Sequence, residues 1–462
     1  MKNGWKKIRL KEVCEITSSK RIYAADYQNE GIPFFRGKEI IEKQKGIIAV
    51  STELYISKEK FRSIKSKFGA PQVGELLLTS VGTLGVPYVI KEGEEFYFKD
   101  GNLTWFKNFI DLDVKFLYYW FLSPFGKAQL KKSTIGSSQP AFTIVLLKDL
   151  EIKLPPLDTQ RKIASILSAY DDLIENNTRR IKILEEMASA IYREWFVEFR
   201  FSNVECRMPL RPAPSRWDES PFGNGTRVHS GNVELRIATP EEKKLTGKDL
   251  FPKGWEARPL QSLTASLTDG DWIETKDQGG EDYRLLQVSN IGVSEFAETG
   301  NYRYITQDTF DRLRCQEVLP GDILISRMPK PTGRAWLVTL QPWKMITAVD
   351  VAIAKVDDHK ADPYFVLYLL NSLEQIDQVE RRTTGTTRPR ISRSSLASIP
   401  VVVPPILLQK SFGKFTNSNY QLSTTLRNKN TNLRRTRDLL LPKLISGEID
   451  VEGININTIK EN

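Results

Sequence analysis

Two kinds of hydrophobic pattern alternate along this 462-residue chain. Residues 75–79, 150–154, 322–326 and 351–356 are short apolar or β-branched runs bounded by Gly, Pro or Asp, which predicts strands. Residues 116–122 and 364–370 are apolar blocks with helical spacing. After Pro155-Pro156 the series Ile163, Tyr170, Asn177, Leu184, Ile191 steps by sevens. Ile166, Leu173 and Met187 flank it on one side, and Leu167, Ile174, Ile181, Ala188 and Trp195 on the other. After Pro404-Pro405 come Phe412, Leu426, Leu433 and Leu440, with Phe415 and Leu422. Sustained seven-residue spacing predicts a seam against another helix. The expected seam is Ile163, Ile166, Tyr170, Leu173, Leu184 and Ile191 on the first helix, and Phe412, Phe415, Leu422, Leu426, Leu433 and Leu440 on the second. Polar Asn177 and Arg180 interrupt the first seam, where such residues can set register.

The whole series of signals occurs twice. Asp113-Val114-Lys115-Phe116-Leu117-Tyr118-Tyr119 lines up with Asp362-Pro363-Tyr364-Phe365-Val366-Leu367-Tyr368, 249 positions later. The same register aligns Ser133-Thr134-Ile135-Gly136-Ser137-Ser138-Gln139-Pro140 with Arg382-Thr383-Thr384-Gly385-Thr386-Thr387-Arg388-Pro389. It also aligns Leu154-Pro155-Pro156 and Gln160 with Val403-Pro404-Pro405 and Gln409. Upstream, Gly4-Trp5 matches Gly254-Trp255, and Val73-Gly74-Glu75-Leu76 matches Pro320-Gly321-Asp322-Ile323, with small length changes that imply loop insertions. Ordered self-similarity of this kind marks a duplicated unit. The predicted fold class is α+β, with two tandem mixed α/β domains, each followed by a long helix. The expected domains are residues 1–156 and 254–405, the helices 157–201 and 406–450, and a tail 451–462. Residues 202–253, rich in Pro, Gly, Ser and charge, read as a linker or irregular segment.

Composition narrows the function. Lys and Arg number 67 against 57 Asp and Glu, a net charge of +10, which favours polyanionic partners. No apolar run approaches the ~20 residues needed to cross a bilayer, and the N-terminus lacks the apolar core of a secretory signal, so the expected location is cytoplasmic. Cys14, Cys206 and Cys315 are too widely spaced for a disulfide framework or thiolate metal site. Two histidines, His229 and His359, cannot build a His-rich metal centre. There is no Gly-rich phosphate loop. The Pro-Pro pairs lack the flanking residues of an amino-methyltransferase signature and read as strand ends that start a helix. Glu241-Glu242-Lys243-Lys244 has the composition of a metal-dependent nuclease site but reads as a solvated charge run in the linker. The chain is therefore expected to be noncatalytic, with no catalytic or metal-binding residues.

Candidate contacts lie in loops. Arg381, Arg382, Thr383, Thr384, Thr386, Thr387, Arg388 and Arg390, followed by Arg393, concentrate arginines among hydroxyls around Gly385. Arg can fork onto guanine while hydroxyls grip phosphates. The homologous Ser133, Thr134, Ser137, Ser138 and Gln139 replace Arg388 with an amide better suited to adenine, so two copies of one scaffold would read different bases. Arg36, Lys38, Thr79, Ser80, Asn290, Arg327 and Lys330 are further candidates at predicted strand ends.

Two divergent globular domains, each followed by a Pro-Pro…Gln helix, resemble the specificity subunit of type I restriction–modification enzymes. Leu154-Pro155-Pro156-Leu157-Asp158-Thr159-Gln160 through Trp195-Phe196-Val197-Glu198-Phe199 looks like that family's central spacer, and Leu439-Leu440-Leu441-Pro442-Lys443-Leu444-Ile445-Ser446-Gly447-Glu448-Ile449 like its distal spacer. The resemblance implies target-recognition domains that each read half of an asymmetric bipartite sequence in double-stranded DNA. It implies spacer helices paired as an antiparallel coiled coil, a ruler of roughly 55 Å at 1.5 Å per residue. It also implies methylase (modification) subunits, two copies, docked on the scaffold, with restriction subunits bound through them. S-adenosylmethionine, ATP and Mg would belong to those partners, with no cofactor in this chain. The alternatives are an autonomous DNA-binding regulator without enzyme partners and, less favoured by the residues, a nuclease.

Overall fold

The computed structural model describes residues 4–46, 50, 52–136, 140–200 and 234–454. It divides into two compact units, Met1–Arg179 with Arg427–Asn462, and Arg180–Leu426. These boundaries differ from those expected, because each long helix contributes a part to both units.

In the first unit a four-stranded antiparallel sheet runs in the order Glu15–Thr17, Leu103–Lys107, Leu76–Thr79, Pro87–Val89. Successive side chains of a strand point to opposite faces, and here both faces are covered. Leu76, Leu78 and Phe106 join the core built on Phe116, Leu117 and Phe121, while Leu77 and Trp105 pack with Phe35, Ile40 and Phe98. That two-sided burial explains why residues 76–78 are an unbroken apolar run. A three-stranded sheet places Ile32–Phe35 between Tyr55–Ile56, antiparallel, and Tyr97–Phe98, parallel. A third pairing joins Lys6–Arg9 to Glu151–Leu154.

The second unit repeats these three sheets strand for strand. Its four-stranded sheet is Thr264–Asp269, Val351–Val356, Ile323–Ser326, Ala335–Leu337, all antiparallel. Its three-stranded sheet has Tyr283–Leu286 between Tyr304–Ile305, antiparallel, and Lys344–Thr347, parallel. Glu256–Pro259 pairs with Pro400–Val403. The helices Val114–Leu122, Pro124–Lys132 and Ile144–Lys148 correspond in order to Pro363–Asn371, Leu373–Glu380 and Arg393–Ala397. The duplication seen in scattered sequence anchors is therefore a duplication of fold.

Each Pro-Pro…Gln motif is a clamp. The Gln160 side chain accepts from the Asp113 backbone N–H at 2.8 Å and donates to the carbonyls of Pro155 and Asp111 at 2.8 and 2.9 Å. Gln409 does the same between Asp362 N–H, 3.1 Å, and Pro404 O, 2.8 Å. Asp113 and Asp362 in turn cap the helices that follow them. One buried amide thus joins strand exit, helix start and the start of the long helix.

The long helices span Leu157–Tyr192 and Ile406–Ser446. Within the first unit they run antiparallel: Asp171 pairs with Arg437, and Asn177 donates to Asn430 at 2.9 Å. Within the second, Tyr192 and Trp195 pack on Phe412. The buried stripe of the first helix is Leu167, Ile174, Ile181 and Ala188, again spaced by sevens. Ile163 is also buried, and Ile166 and Ile191 are partly buried. Tyr170 and Leu184 are half-buried. Leu173 is a correction: it lies on the outer face, 51% exposed. On the second helix Phe412 and Leu426 are buried and Leu433 and Leu440 half-buried, whereas Phe415 and Leu422 are 40% and 39% exposed. Their expected places belong to Thr416 and Ser423, one residue on, which continue with Asn430 as a buried polar row spaced by sevens. Weighing hydrophobicity alone misplaced the stripe, because Thr and Ser hydroxyls can turn back on their own helix. Thr416 does so, onto the Phe412 carbonyl at 2.8 Å.

Residues 234–253, expected to be linker, are ordered in part. Leu235–Ile237 pairs with Leu250–Pro252 around the helix Pro240–Thr246, whose Glu242 closes a capping box with Thr239 and is forked by Arg236. The charge run 241–244 is thus a capped first turn. Residues 201–233, with Cys206 and His229, lie outside the described part. No helix among the described residues is long and apolar enough to cross a membrane.

Candidate nucleic-acid interface

The arginine-rich stretch forms a hairpin. Thr384 and Arg390 exchange both backbone hydrogen bonds at 2.9 Å, and Gly385 at φ +95° makes the turn possible, since a Cβ there would strain the backbone and sit 3.2 Å from the Arg388 carbonyl. Thr386, Thr387 and Arg388 stand exposed at the tip. Arg388 has no ion pair or hydrogen bond among the described residues. On the approach, Arg381 pairs with Asp377, Arg382 donates to the Gln378 carbonyl, Thr383 to the Glu380 carbonyl, and Lys330 pairs with Glu380 at 3.0 Å.

The first unit has the same hairpin, Thr134–Ile135 against Ala141–Phe142. Ser133 and Thr134 turn their hydroxyls back to the Gln129 and Leu130 carbonyls at 3.1 Å, finishing the preceding helix. Ser137, Ser138 and Gln139 lie outside the described residues.

Below the second hairpin is an ion network in which Arg327 is buried and Asp269, Asp350 and Arg390 are half-buried. Arg327 lies 3.2 Å from Asp269 and donates to Val349 O at 2.6 Å, and Arg390 reaches Asp350 at 3.1 Å. Burial pulls the Arg327 guanidinium below its ordinary pKa, against the pull of Asp269.

Several expected contacts are instead internal. Thr79 is fully buried; its hydroxyl donates to Thr83 O at 2.6 Å and accepts from Val86 N–H at 2.9 Å, shaping the loop 80–85. The buried Ser80 hydroxyl shares a 2.7 Å hydrogen bond with Thr104. Asn290 is buried and closes its own turn, accepting from Gln287 N–H at 2.9 Å and donating to Ala297 O at 3.0 Å. Arg36 is held by buried Glu39 at 2.9 Å. Burial alone would raise the Glu39 carboxyl, but the Arg36 side-chain and backbone hydrogen bonds bring it below its usual range. Arg327 is buried as well. All these residues mark strand ends correctly, yet polar groups at strand ends first satisfy the backbone there. Lys38 remains exposed.

Trp272 was missed. It is 72% exposed, three residues beyond Asp269. Its approach is rigid: Gly270 donates to Val351 O at 2.9 Å, and a Cβ on Gly270 would fall 2.4 Å from the Ala348 carbonyl. A lone aromatic among Asp269, Gly270, Asp271 and Glu274, outside any apolar period, was the available signal. Exposed Arg, Thr and Trp on pinned turns suit phosphates, base edges and base faces. Among the described residues no cluster of three or more His, Cys, Asp or Glu could hold a metal ion.

Residues 2–186 match the type I restriction modification DNA specificity domain family. A type I restriction enzyme specificity subunit from Methanocaldococcus jannaschii, MjaIX, is 25% identical over 82% of this chain and 79% of its own length. A second from that organism, MjaVIII, is 22% identical over 90% and 91%. In fold, the chain resembles the crystal structure of a type I restriction–modification S subunit from M. genitalium, with TM-score 0.57 and 16% identity over 96% of this chain and 97% of that one. With one fold present twice, the matched domain in the first half and relatives aligned along most of its length, the chain is similar throughout to the specificity subunits of type I restriction–modification systems.

Proposed function

We propose that this chain reads an asymmetric bipartite DNA sequence, one half with each unit, and serves as the scaffold on which methylase and restriction subunits assemble. The observation that carries the reading is that one topology occurs twice, while the sequence of the two copies differs at corresponding positions, Arg388 in one and Gln139 in the other. The 36-residue helix Leu157–Tyr192, about 54 Å long at 1.5 Å per residue, and its partner set the gap between the half-sites. The chain itself is noncatalytic. S-adenosylmethionine, ATP and Mg are bound by the partners, two methylase subunits and the restriction subunits that join through them, and the complex works in the cytoplasm. The test is selection of random duplexes by the chain co-purified with its methylase subunit. Enrichment of one two-part sequence that survives added salt is expected, since sequence-independent phosphate contacts weaken steeply with salt. Equal recovery of all duplexes at every salt concentration refutes it, and tight specific binding by the isolated chain points to an autonomous regulator.

A further inference from the structure

We infer that Arg327 is a positioning residue for base reading by the second unit alone, acting through Asp269 and the Val349–Asp350 backbone to keep Arg390 and Arg393, at and just after the end of the hairpin 384–390, in a fixed direction; the inference rests on the DNA-reading function proposed above. Arg327 follows the strand Ile323–Ser326 and is 3% exposed. Its backbone N–H donates to Asp350 O at 3.0 Å, and its carbonyl accepts from Ile391 N–H at 3.2 Å. Ser80 occupies this place in the first unit and makes the same two bonds, from its N–H to Asn102 O at 2.8 Å and to its carbonyl from Phe142 N–H at 3.0 Å. Backbone bonds common to both copies therefore suffice to dock the hairpin.

What differs is the side chains. In the first unit the surroundings are neutral: Ser80 with Thr104, Ser18 donating to Leu103 O at 3.4 Å, Asn102 where Asp350 stands, and Ala141 where Arg390 stands. In the second, the Arg327 side chain pairs with Asp269 and donates to the carbonyl of Val349, the residue before Asp350. Asp269 is 3.2 Å from Arg327 and 3.8 Å from Arg393, and Asp350 is 3.1 Å from Arg390. Arg390 and Arg393 are each about half-exposed, so their donors remain available to phosphate or guanine while the charges of Asp350 and Asp269 draw the guanidinium groups toward them. A network superfluous for closing the hairpin, yet tied to Arg390 and Arg393, acts on where these two point.

The test transplants the first unit's neutral set, Arg327→Ser, Asp269→Ser and Asp350→Asn together, into the full chain assembled with its methylase subunit, and selects bound sequences from random duplexes. Discrimination is expected to fall tenfold or more at bases of one half-site and to stay unchanged at the other. Arg327→Lys, which keeps the charge and loses the fork, serves where the triple variant does not assemble, and is expected to loosen the same half-site about threefold or more. Wild-type discrimination at both halves, or equal loosening of both, overturns the inference. Absence of any preference in the unmodified complex instead overturns the DNA-reading function beneath it.

Discussion

The two glutamines that clamp the long helices satisfy three or two buried backbone groups apiece. Replacing either with alanine leaves those groups unpaired, at about 1–3 kcal/mol for an orphaned buried polar group. Gln160→Ala and Gln409→Ala should each lower the urea midpoint of the chain accordingly; a midpoint equal to wild type would show the clamp to be idle. Cys14 carries a pH-linked contribution. Burial pushes its thiol from an ordinary value near 9 up to about 12. A folded-state pKa raised in this way disfavours the thiolate, so the contribution is complete below about pH 9 and is lost as pH rises toward 12. Cys14→Ala should therefore show a flatter decline of unfolding midpoint across that window, and identical slopes would contradict the assignment. The glutamines were legible because identical residues recur in register 249 positions apart. Thr79, Ser80 and Asn290 were not, since sequence places a polar residue at a strand end without showing whether backbone or ligand claims it.

At the level of elements, the seven-residue period revealed both long helices, and the buried stripe differed from the expected one by a residue on each. Leu173, Phe415 and Leu422 are apolar but face outward, while Thr416, Ser423 and Asn430 face inward. Polar seam residues can specify register at a cost in stability. Asn177 and Asn430 form such a pair, with Asn430 also donating to Thr178 Oγ1 at 3.2 Å. Asn177→Leu alone should destabilise by about 1–3 kcal/mol through the orphaned Asn430 Oδ1, and Asn177→Leu with Asn430→Leu should recover most or all of that loss. A double variant as unstable as the sum of the two single ones would mean that the amides do not pair. The strand pair Leu235–Ile237 and Leu250–Pro252 was hidden in the sequence by its brevity and by the charged helix between its strands.

For the whole molecule, duplication was readable from a few anchors because loops vary in length while strand ends, caps and clamps do not. Which arginines are free and which are held, as Arg327 and Arg390 are, was not readable, because it depends on carboxylates distant in sequence. If the paired helices measure the gap between half-sites, lengthening both changes that gap and nothing else. One heptad added to each helix extends it by about 10 Å at 1.5 Å per residue, or about three base pairs at 3.4 Å each. The decisive experiment is genome-wide mapping of methylated adenines in cells carrying this doubly extended chain with its methylase subunit. The same two half-sites separated by a longer gap are expected; an unchanged gap, or half-sites with altered bases, would contradict the ruler.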